Sequence, residues 1–121
     1  MADEISLTIP REPDFHRVAH LVLGGLAVRL DLTIEHLEDL QLALDSLLDA
    51  TDPGFEQDVT VRMRPRGGSL VTVVGPLSQR VLEEVDGGGD GLSLRRVLDS
   101  TVDAVEVDGD HVLLTKQVAR G

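Results

Sequence analysis

The sequence predicts an α+β domain in which helices lie on one face of a mostly antiparallel sheet of about five strands. Short segments with alternating apolar residues occur at the start, the middle and the end of the chain. Two long segments near the N-terminus, and a shorter one near residue 95, repeat their apolar residues at helical spacing. The predicted order is strand, helix, helix, strand, strand, short helix, helix, strand, strand. This order describes one two-layer sandwich, a single domain over residues 1–121.

A short strand and two amphipathic helices form the first part of the predicted fold. Residues 5–9 alternate apolar and polar side chains and predict a half-buried strand. The first helix begins near Asp14, a candidate N-cap, and contains Gly24 and Gly25 in its middle. Each glycine costs about 1 kcal/mol relative to Ala, so we expect close packing against a neighbouring element there. Thr33 is the candidate N-cap of the second helix.

Two hairpins and a second pair of helices form the rest of the predicted fold. The alternation of apolar residues predicts strands that pair around tight turns. The segments are strands at 59–64 and 70–74 with a turn at 65–68, helices at 77–85 and from 92 to about 100, and strands at 104–107 and 112–118 with a turn at 108–110.

Composition limits the classes of function. The chain has 121 residues, a net charge of −11, 41% hydrophobic residues, two Phe as its only aromatic residues and no Cys. The negative charge and the scarcity of aromatic rings argue against a nucleic-acid partner. No apolar run is long enough to span a membrane, and the acidic N-terminus argues against a signal peptide. We therefore expect a cytoplasmic protein.

A glycine-rich stretch before a helix is the most distinctive local pattern. It contains Gly87, Gly88, Gly89 and Gly91, and Leu92 begins a helical repeat directly after it. Glycines allow the backbone to approach a ligand closely, and a helix N-terminus favours anions. The stretch is therefore a candidate phosphate cradle. It matches neither the P-loop nor the dinucleotide-binding pattern, so an ordinary loop that leads into an amphipathic helix explains it as well.

Two pairs of side chains at helical spacing are candidate metal ligands. Asp45 and Asp49 are four residues apart and share one face of the second helix. Their carboxylates can bind a metal ion, or they can form a solvated acidic face. His16 and His20 have the same spacing on the first helix. This histidine pair has no third ligand nearby in the sequence.

The order of elements, together with three motifs, resembles the GHKL ATPase superfamily, and within it the RsbW-type anti-sigma factor serine kinases. The chain begins with a strand that ends in proline at residues 5–10. Residues 37–44, LEDLQLAL, are similar to the EDLKIAV helix of that family. Residues 88–94, GGDGLSL, are similar to its second glycine box, GGxGLxL. The resemblance covers nearly the whole chain.

This resemblance implies a fold, a cofactor and a set of partners. The fold is the Bergerat, or histidine-kinase-like, ATPase sandwich. Family members bind ATP with Mg²⁺ and phosphorylate a small antagonist protein, and they also bind a sigma factor. They are commonly homodimers. For this chain we expect the exposed edge of the first strand and the helix with Gly24 and Gly25 to form the dimer surface.

The residues that perform chemistry in the family are altered in this chain. In the family, the second helix has a Glu and, four residues later, an Asn that holds magnesium. Without a gap, these positions fall on Ser46 and Ala50, which supply neither a base nor a metal ligand. If one residue was lost from the helix, Asp45 becomes the candidate base and Asp49 the candidate metal ligand. A one-residue shift turns a helix by about 100°, so the gapless register is preferred.

The adenine contact and the closing loop also depart from the family pattern. Gly75 stands where the family has the Asp that accepts a hydrogen bond from adenine. The segment between Gly75 and Gly88 is short, so the lid over the triphosphate is truncated. We therefore expect a divergent regulator that acts by protein binding and has a degenerate ATP site and no cofactor. One alternative is a weak ATP-binding serine kinase that uses Asp45 and Asp49. The other is an unrelated interaction domain.

Overall fold

The computed structural model describes residues 4–50, 57–88 and 94–118. Within them, five strands and four α-helices follow one another in the predicted order. The elements are β1 Ile5–Ile9, α1 His16–Leu30, α2 Ile34–Asp49, β2 Val59–Arg66, β3 Ser69–Gly75, α3 Gln79–Glu83, α4 Leu94–Thr101, β4 Ala104–Asp108 and β5 His111–Gln117. A 3-10 turn, Pro13–Phe15, precedes α1, and a π-helical turn, Glu84–Gly88, follows α3. None of the helices among the described residues is long and apolar enough to cross a membrane.

The five strands form one sheet in the order β1-β2-β3-β5-β4, and every neighbouring pair is antiparallel. The helices pack against one face of this sheet and share a continuous core with it. The predicted α+β sandwich with about five strands is therefore confirmed. β1 and β4 form the two edges, as the dimer hypothesis assumed for β1.

Aliphatic side chains supply the core, because alternate residues of the central strands point towards the helices. Val61 of β2 is paired with Val74 of β3, and both are fully buried. Met63 lies in the next inward position of β2 and is equally buried, while Leu114 of β5 is 1% exposed. Complete burial of one such side chain stabilises the fold by roughly 1.5–3 kcal/mol.

The sequence predicted the start of α2 correctly and the start of α1 wrongly. The Thr33 side chain accepts a hydrogen bond from the backbone N–H of His36 at 3.0 Å, so Thr33 is the N-cap of α2 as predicted. Asp14 is not the N-cap of α1. It lies inside the 3-10 turn, and α1 begins after Phe15 without a side-chain cap. The extra turn satisfies part of the helix start through backbone hydrogen bonds.

The expectation of close packing at Gly24 and Gly25 is wrong for the described chain. A Cβ added at either glycine would meet no atom within 4 Å. Leu21 and Val28 of the same helix are 76% and 83% exposed. This part of α1 therefore presents an open apolar surface.

The β2–β3 turn is tighter than the predicted four residues. β2 continues through Pro65 to Arg66, and only Gly67 and Gly68 form the turn. Both glycines have positive φ, at 55° and 86°, as a two-residue hairpin turn requires. Pro65 is tolerated because the register of β1 on β2 ends at Met63, which leaves Pro65 beyond the paired edge.

Lys116 connects three elements beside the core. Its ammonium group donates hydrogen bonds to the Asp39 carboxylate of α2 at 3.0 Å and to the Thr101 carbonyl of α4 at 2.9 Å. Its side chain is only 13% exposed. This single cation therefore holds α2 and α4 to strand β5.

Candidate functional site

The histidine pair of α1 and the aspartate pair of α2 meet across the interface between the two helices. His20 Nε2 donates to Asp45 Oδ1 at 2.6 Å, and His16 Nδ1 lies 3.4 Å from Asp49 Oδ1. The short connection between the helices makes them antiparallel neighbours. Because both pairs have a spacing of four residues, each histidine reaches one aspartate.

The two candidate catalytic carboxylates differ in their contacts and in their exposure to solvent. Asp45, the candidate base, accepts a short hydrogen bond from His20, and its side chain is 34% exposed. Asp49, the candidate metal ligand, is 67% exposed. In the part of the chain that the structure describes, no three His, Asp or Glu side chains are grouped closely enough to hold a metal ion.

The residues of the gapless register have no catalytic arrangement in this structure. Ser46 donates its hydroxyl hydrogen bond back to the Leu42 carbonyl at 2.8 Å, a common pairing within helices. Ala50 is the C-cap of α2. Both positions therefore have ordinary helical roles.

Gly75, which the family resemblance aligns with an adenine-binding Asp, is covered by a histidine ring. A Cβ added at Gly75 would lie 2.5 Å from both Cγ and Cδ2 of His111, which is far inside van der Waals contact. His111 is held there by a 2.7 Å contact between its Nδ1 and the Asp110 carboxylate. Leu77 N–H also donates to the Asp110 carbonyl at 2.8 Å. The β4–β5 turn is therefore packed onto the end of β3.

Arg11 also contacts the segment that follows β3. Its Nε donates to the Gln57 carbonyl at 2.5 Å, and its Nη2 donates to the Pro76 carbonyl. Burial lowers the pKa of the Arg11 guanidinium from its ordinary value, and the Asp58 carboxylate partly opposes this effect. The peptide bond between Gly75 and Pro76 is cis. Arg11 thus joins the segment after β1 to the segment after β3.

Only part of the predicted phosphate cradle can be described. Gly87 has φ 96°, the left-handed conformation that glycine adopts readily, and Gly88 ends the π-helical turn. Gly89, Gly91 and Leu92 lie outside the described residues.

Arg95, just after the glycine stretch, has protein partners in this structure. Its Nη1 donates to the Val85 carbonyl at 2.9 Å and its Nε to the Asp99 carboxylate at 2.9 Å. The bond to Val85 connects α4 to the π-helical turn Glu84–Gly88.

An open cleft of about 270 Å³ lies between α3 and the β4–β5 hairpin. Two of its lining residues are acidic, which disfavours a phosphate group in this cleft. It is lined by Gln79, Leu82, Glu83, Asp86, Val107 and Gly109.

The sequence matches no protein-family model. It is 25% identical to the serine-protein kinase RsbW of Bacillus subtilis (strain 168), over 95% of this chain and 86% of that protein. It resembles RsbW. The serine-protein kinase RsbW of Oceanobacillus iheyensis is 23% identical, over 97% of this chain and 88% of that protein. The serine-protein kinase RsbW of Bacillus velezensis is 26% identical, over 94% of this chain and 85% of that protein.

The matched region is longer in RsbW than in this chain. The match to the Bacillus subtilis RsbW extends over 137 residues, whereas 95% of a 121-residue chain is about 115 residues. About twenty residues of the matched span therefore have no counterpart here.

Sequence reasoning missed three features of this region. It did not foresee that His16 and His20 face the two aspartates, that His111 covers Gly75, or that Arg11 bridges two loops. The matched spacing of four on both helices was the one available signal for the first feature. The other two depend on contacts between residues far apart in the sequence.

Proposed function

We propose that this protein is an RsbW-like regulator of transcription that acts by binding a protein, either a sigma factor or a small antagonist of the regulator. The observation that carries the proposal is the similarity to serine-protein kinases RsbW over nearly the whole chain. The observed α+β sandwich is the architecture that this resemblance implies. Partner switching between two proteins in the cytoplasm is part of the same proposal.

We further propose that the ATP site is degenerate, in the manner of a pseudokinase, and that the protein uses no cofactor. The ring of His111 over Gly75 supports this proposal, because it leaves no space for a side-chain acceptor there. The engagement of Asp45 by His20 supports it as well. RsbW of Bacillus subtilis has roughly twenty more residues in the matched span, and we assign the deficit to the segment between Gly75 and Gly88, where a truncated lid would exclude water poorly.

The alternative is a weak ATP-dependent serine kinase. The names of the relatives favour it, because all three are serine-protein kinases. In this alternative Asp45 accepts the proton of the substrate hydroxyl, Asp49 holds Mg²⁺, and the residues from Gly87 onward contact the phosphates.

A thermal-shift titration with millimolar Mg·ATP separates the two functions. A ligand at a hundredfold excess over its Kd stabilises a fold by about 2.7 kcal/mol, which raises the Tm by several degrees. We expect no measurable change in Tm and no phosphate transfer to a partner. A shift of several degrees that Asp45→Ala or Asp49→Ala abolishes, together with phosphate transfer to a partner protein, would establish the kinase instead.

Partner binding is tested separately from the nucleotide. We expect a complex with a sigma factor or an antagonist protein of the same organism, measured by surface plasmon resonance without ATP. If none of these proteins binds, the regulatory proposal is wrong, whatever the nucleotide titration shows.

A further inference from the structure

Three arginines are concentrated on one hairpin of an otherwise acidic protein. Residues 59–75, which form β2, its turn and β3, contain Arg62, Arg64 and Arg66 and no Asp or Glu. The whole chain has 22 acidic residues against 11 basic ones. The hairpin is therefore positively charged within a molecule of net charge −11.

The strand register places these arginines on the face of the sheet that has no helices. Arg62 is paired with Val73, and Arg64 is paired with Val71. Val61 and Val74, which form a neighbouring pair of the same hairpin, are buried and point towards the helices. Successive residues of a strand point to opposite faces, so the arginines point away from the core. We call the outward face of Arg62, Arg64 and Arg66 the arginine face.

Two members of the arginine face have no partner in the described structure. Arg62 and Arg66 are exposed, and neither has a hydrogen bond or an ion pair with another described residue. Arg64 lies 3.6 Å from the Glu4 carboxylate, and Glu4 lines a small cavity together with Arg62, Arg64 and Val73. Among the described residues, the guanidinium groups of Arg62 and Arg66 therefore have no direct partner and can contact a ligand.

Other carboxylates on this side of the sheet are too far away to neutralise them. Asp58 precedes Arg62 by four residues, which is about 13 Å along the strand. Glu106 of β4 is three strands away, which is about 14 Å across the sheet. Exposed charges separated by more than about 8–10 Å are largely screened at physiological ionic strength. Apart from Glu4, the closer described neighbours on the face are neutral, including Val73 and Leu113, which are half-buried.

We propose that the arginine face binds an extended, acidic segment of a partner protein. Arginine forks bind carboxylates through two parallel hydrogen bonds. Alternate residues of a strand are about 6.6–6.8 Å apart, so carboxylates at every second position of an extended segment match Arg62, Arg64 and Arg66 in spacing. Nucleic acid fits poorly, because the molecule as a whole repels phosphates. This inference rests on the positions of the arginines, independently of the nucleotide site.

The test measures peptide binding by fluorescence anisotropy with the full chain. The probe is a labelled peptide of about eight residues, the length of β2, with alternating Glu and Thr. A second peptide has the same composition with all Glu residues in one block. The variants are Arg62→Gln and Arg62→Gln/Arg66→Gln. The matched control is Arg17→Gln on α1, an exposed arginine that has no partner in the described structure.

We expect the alternating peptide to bind more tightly than the blocked one, and more weakly as salt increases. Exposed ion pairs contribute weakly, so Arg62→Gln should weaken binding about threefold and the double variant about tenfold. Arg17→Gln should leave the Kd unchanged. Circular dichroism and urea denaturation show whether each variant is folded.

Three results overturn the inference. Equal effects of Arg17→Gln and Arg62→Gln mean that only the overall charge matters. Tighter binding of an equally charged single-stranded oligonucleotide, lost in Arg62→Gln, means that the ligand is nucleic acid. A dimer that Arg62→Gln converts to a monomer means that the face joins two copies of this chain. Each result leaves the sigma-factor or antagonist binding measured above unaffected, so failure here is distinguishable from failure of the proposed function.

Discussion

At the scale of single residues, the contact between Gly75 and His111 decides what position 75 can accommodate. A Cβ at 75 would lie 2.5 Å from the imidazole ring. We predict that Gly75→Ala lowers the free energy of unfolding by about 1–3 kcal/mol, the usual cost of overpacking. His111→Ala should restore most of that loss in the double variant. Urea denaturation of the four proteins in this double-mutant cycle measures the coupling.

A carboxylate at position 75 extends this prediction to the nucleotide. Gly75→Asp supplies the adenine acceptor that the family resemblance requires, but the His111 ring occupies its space. We expect no Mg·ATP-dependent Tm shift in Gly75→Asp alone. A shift in the single variant would show that His111 moves aside readily.

Lys116 and Asp39 provide a second prediction at this scale. Asp39→Asn removes the negative partner of an ammonium group that is 13% exposed. The Asp39 side chain is 41% exposed, but its loss leaves the ammonium group of Lys116 poorly solvated. We predict a loss of about 1–2 kcal/mol, which is below the middle of the range for hydrogen bonds to charged groups because Asp39 is partly exposed. The control is Glu38→Gln, an exposed neighbour with the same charge change, which should alter stability by less than about 0.5 kcal/mol. Equal stability of both variants would contradict the role of Lys116.

At the scale of elements, α1 contains two glycines at positions where no close contact excludes a larger side chain. Ala at Gly24 or Gly25 would have open space around its Cβ. Ala is favoured over Gly in a helix interior by about 1 kcal/mol. We predict that Gly24→Ala and Gly25→Ala each raise the free energy of unfolding by about 0.5–1 kcal/mol. Urea denaturation at low protein concentration measures this gain, and a loss of stability would show that the surface is covered in solution.

The packing of α1 against α2 brings together residues that are only regularly spaced in the sequence. His16 and His20 lie on one helix, and Asp45 and Asp49 on the next, with the same spacing of four. Either pair alone describes a polar stripe on a helix surface. The antiparallel packing aligns the two stripes and makes two histidine–aspartate contacts, at 3.4 and 2.6 Å.

At the scale of the whole molecule, the open apolar surface of α1 and the edge strand β1 support association. Leu21 and Val28 are 76% and 83% exposed, which is unusual for large apolar side chains. We predict a homodimer, with a light-scattering mass twice the 13.1 kDa of one chain. Higher salt should favour it, because the net charge of −11 opposes association.

Leu21→Lys tests whether α1 forms the dimer surface. The added cation should disrupt an apolar interface and give a monomer. Glu38→Gln on α2 is the control, because it changes the net charge by the same amount at an exposed site outside α1, and it should leave the mass unchanged. A monomeric wild-type chain at micromolar concentration, or a dimer that Leu21→Lys does not affect, would contradict this arrangement.

The sequence alone determined the order of elements, the alternation of β1 and β2 between more buried and more exposed residues, and the N-cap at Thr33. These features depend on residues close to one another in the chain, and periods of 2.0 and 3.6 residues report them directly. The start of α1 was predicted wrongly at Asp14, because a 3-10 turn competes with a capped helix start and the two have similar local sequences.

Only the tertiary structure decided which side chains meet. The ring of His111 over Gly75, the bridge made by Arg11 and the histidine–aspartate contacts all join residues more than twenty positions apart. Such contacts depend on strand register and helix packing, which are set by the core as a whole. The arginine face lies between these cases. Its spacing is visible in the sequence, but its exposure depends on the absence of a second helical layer among the described elements.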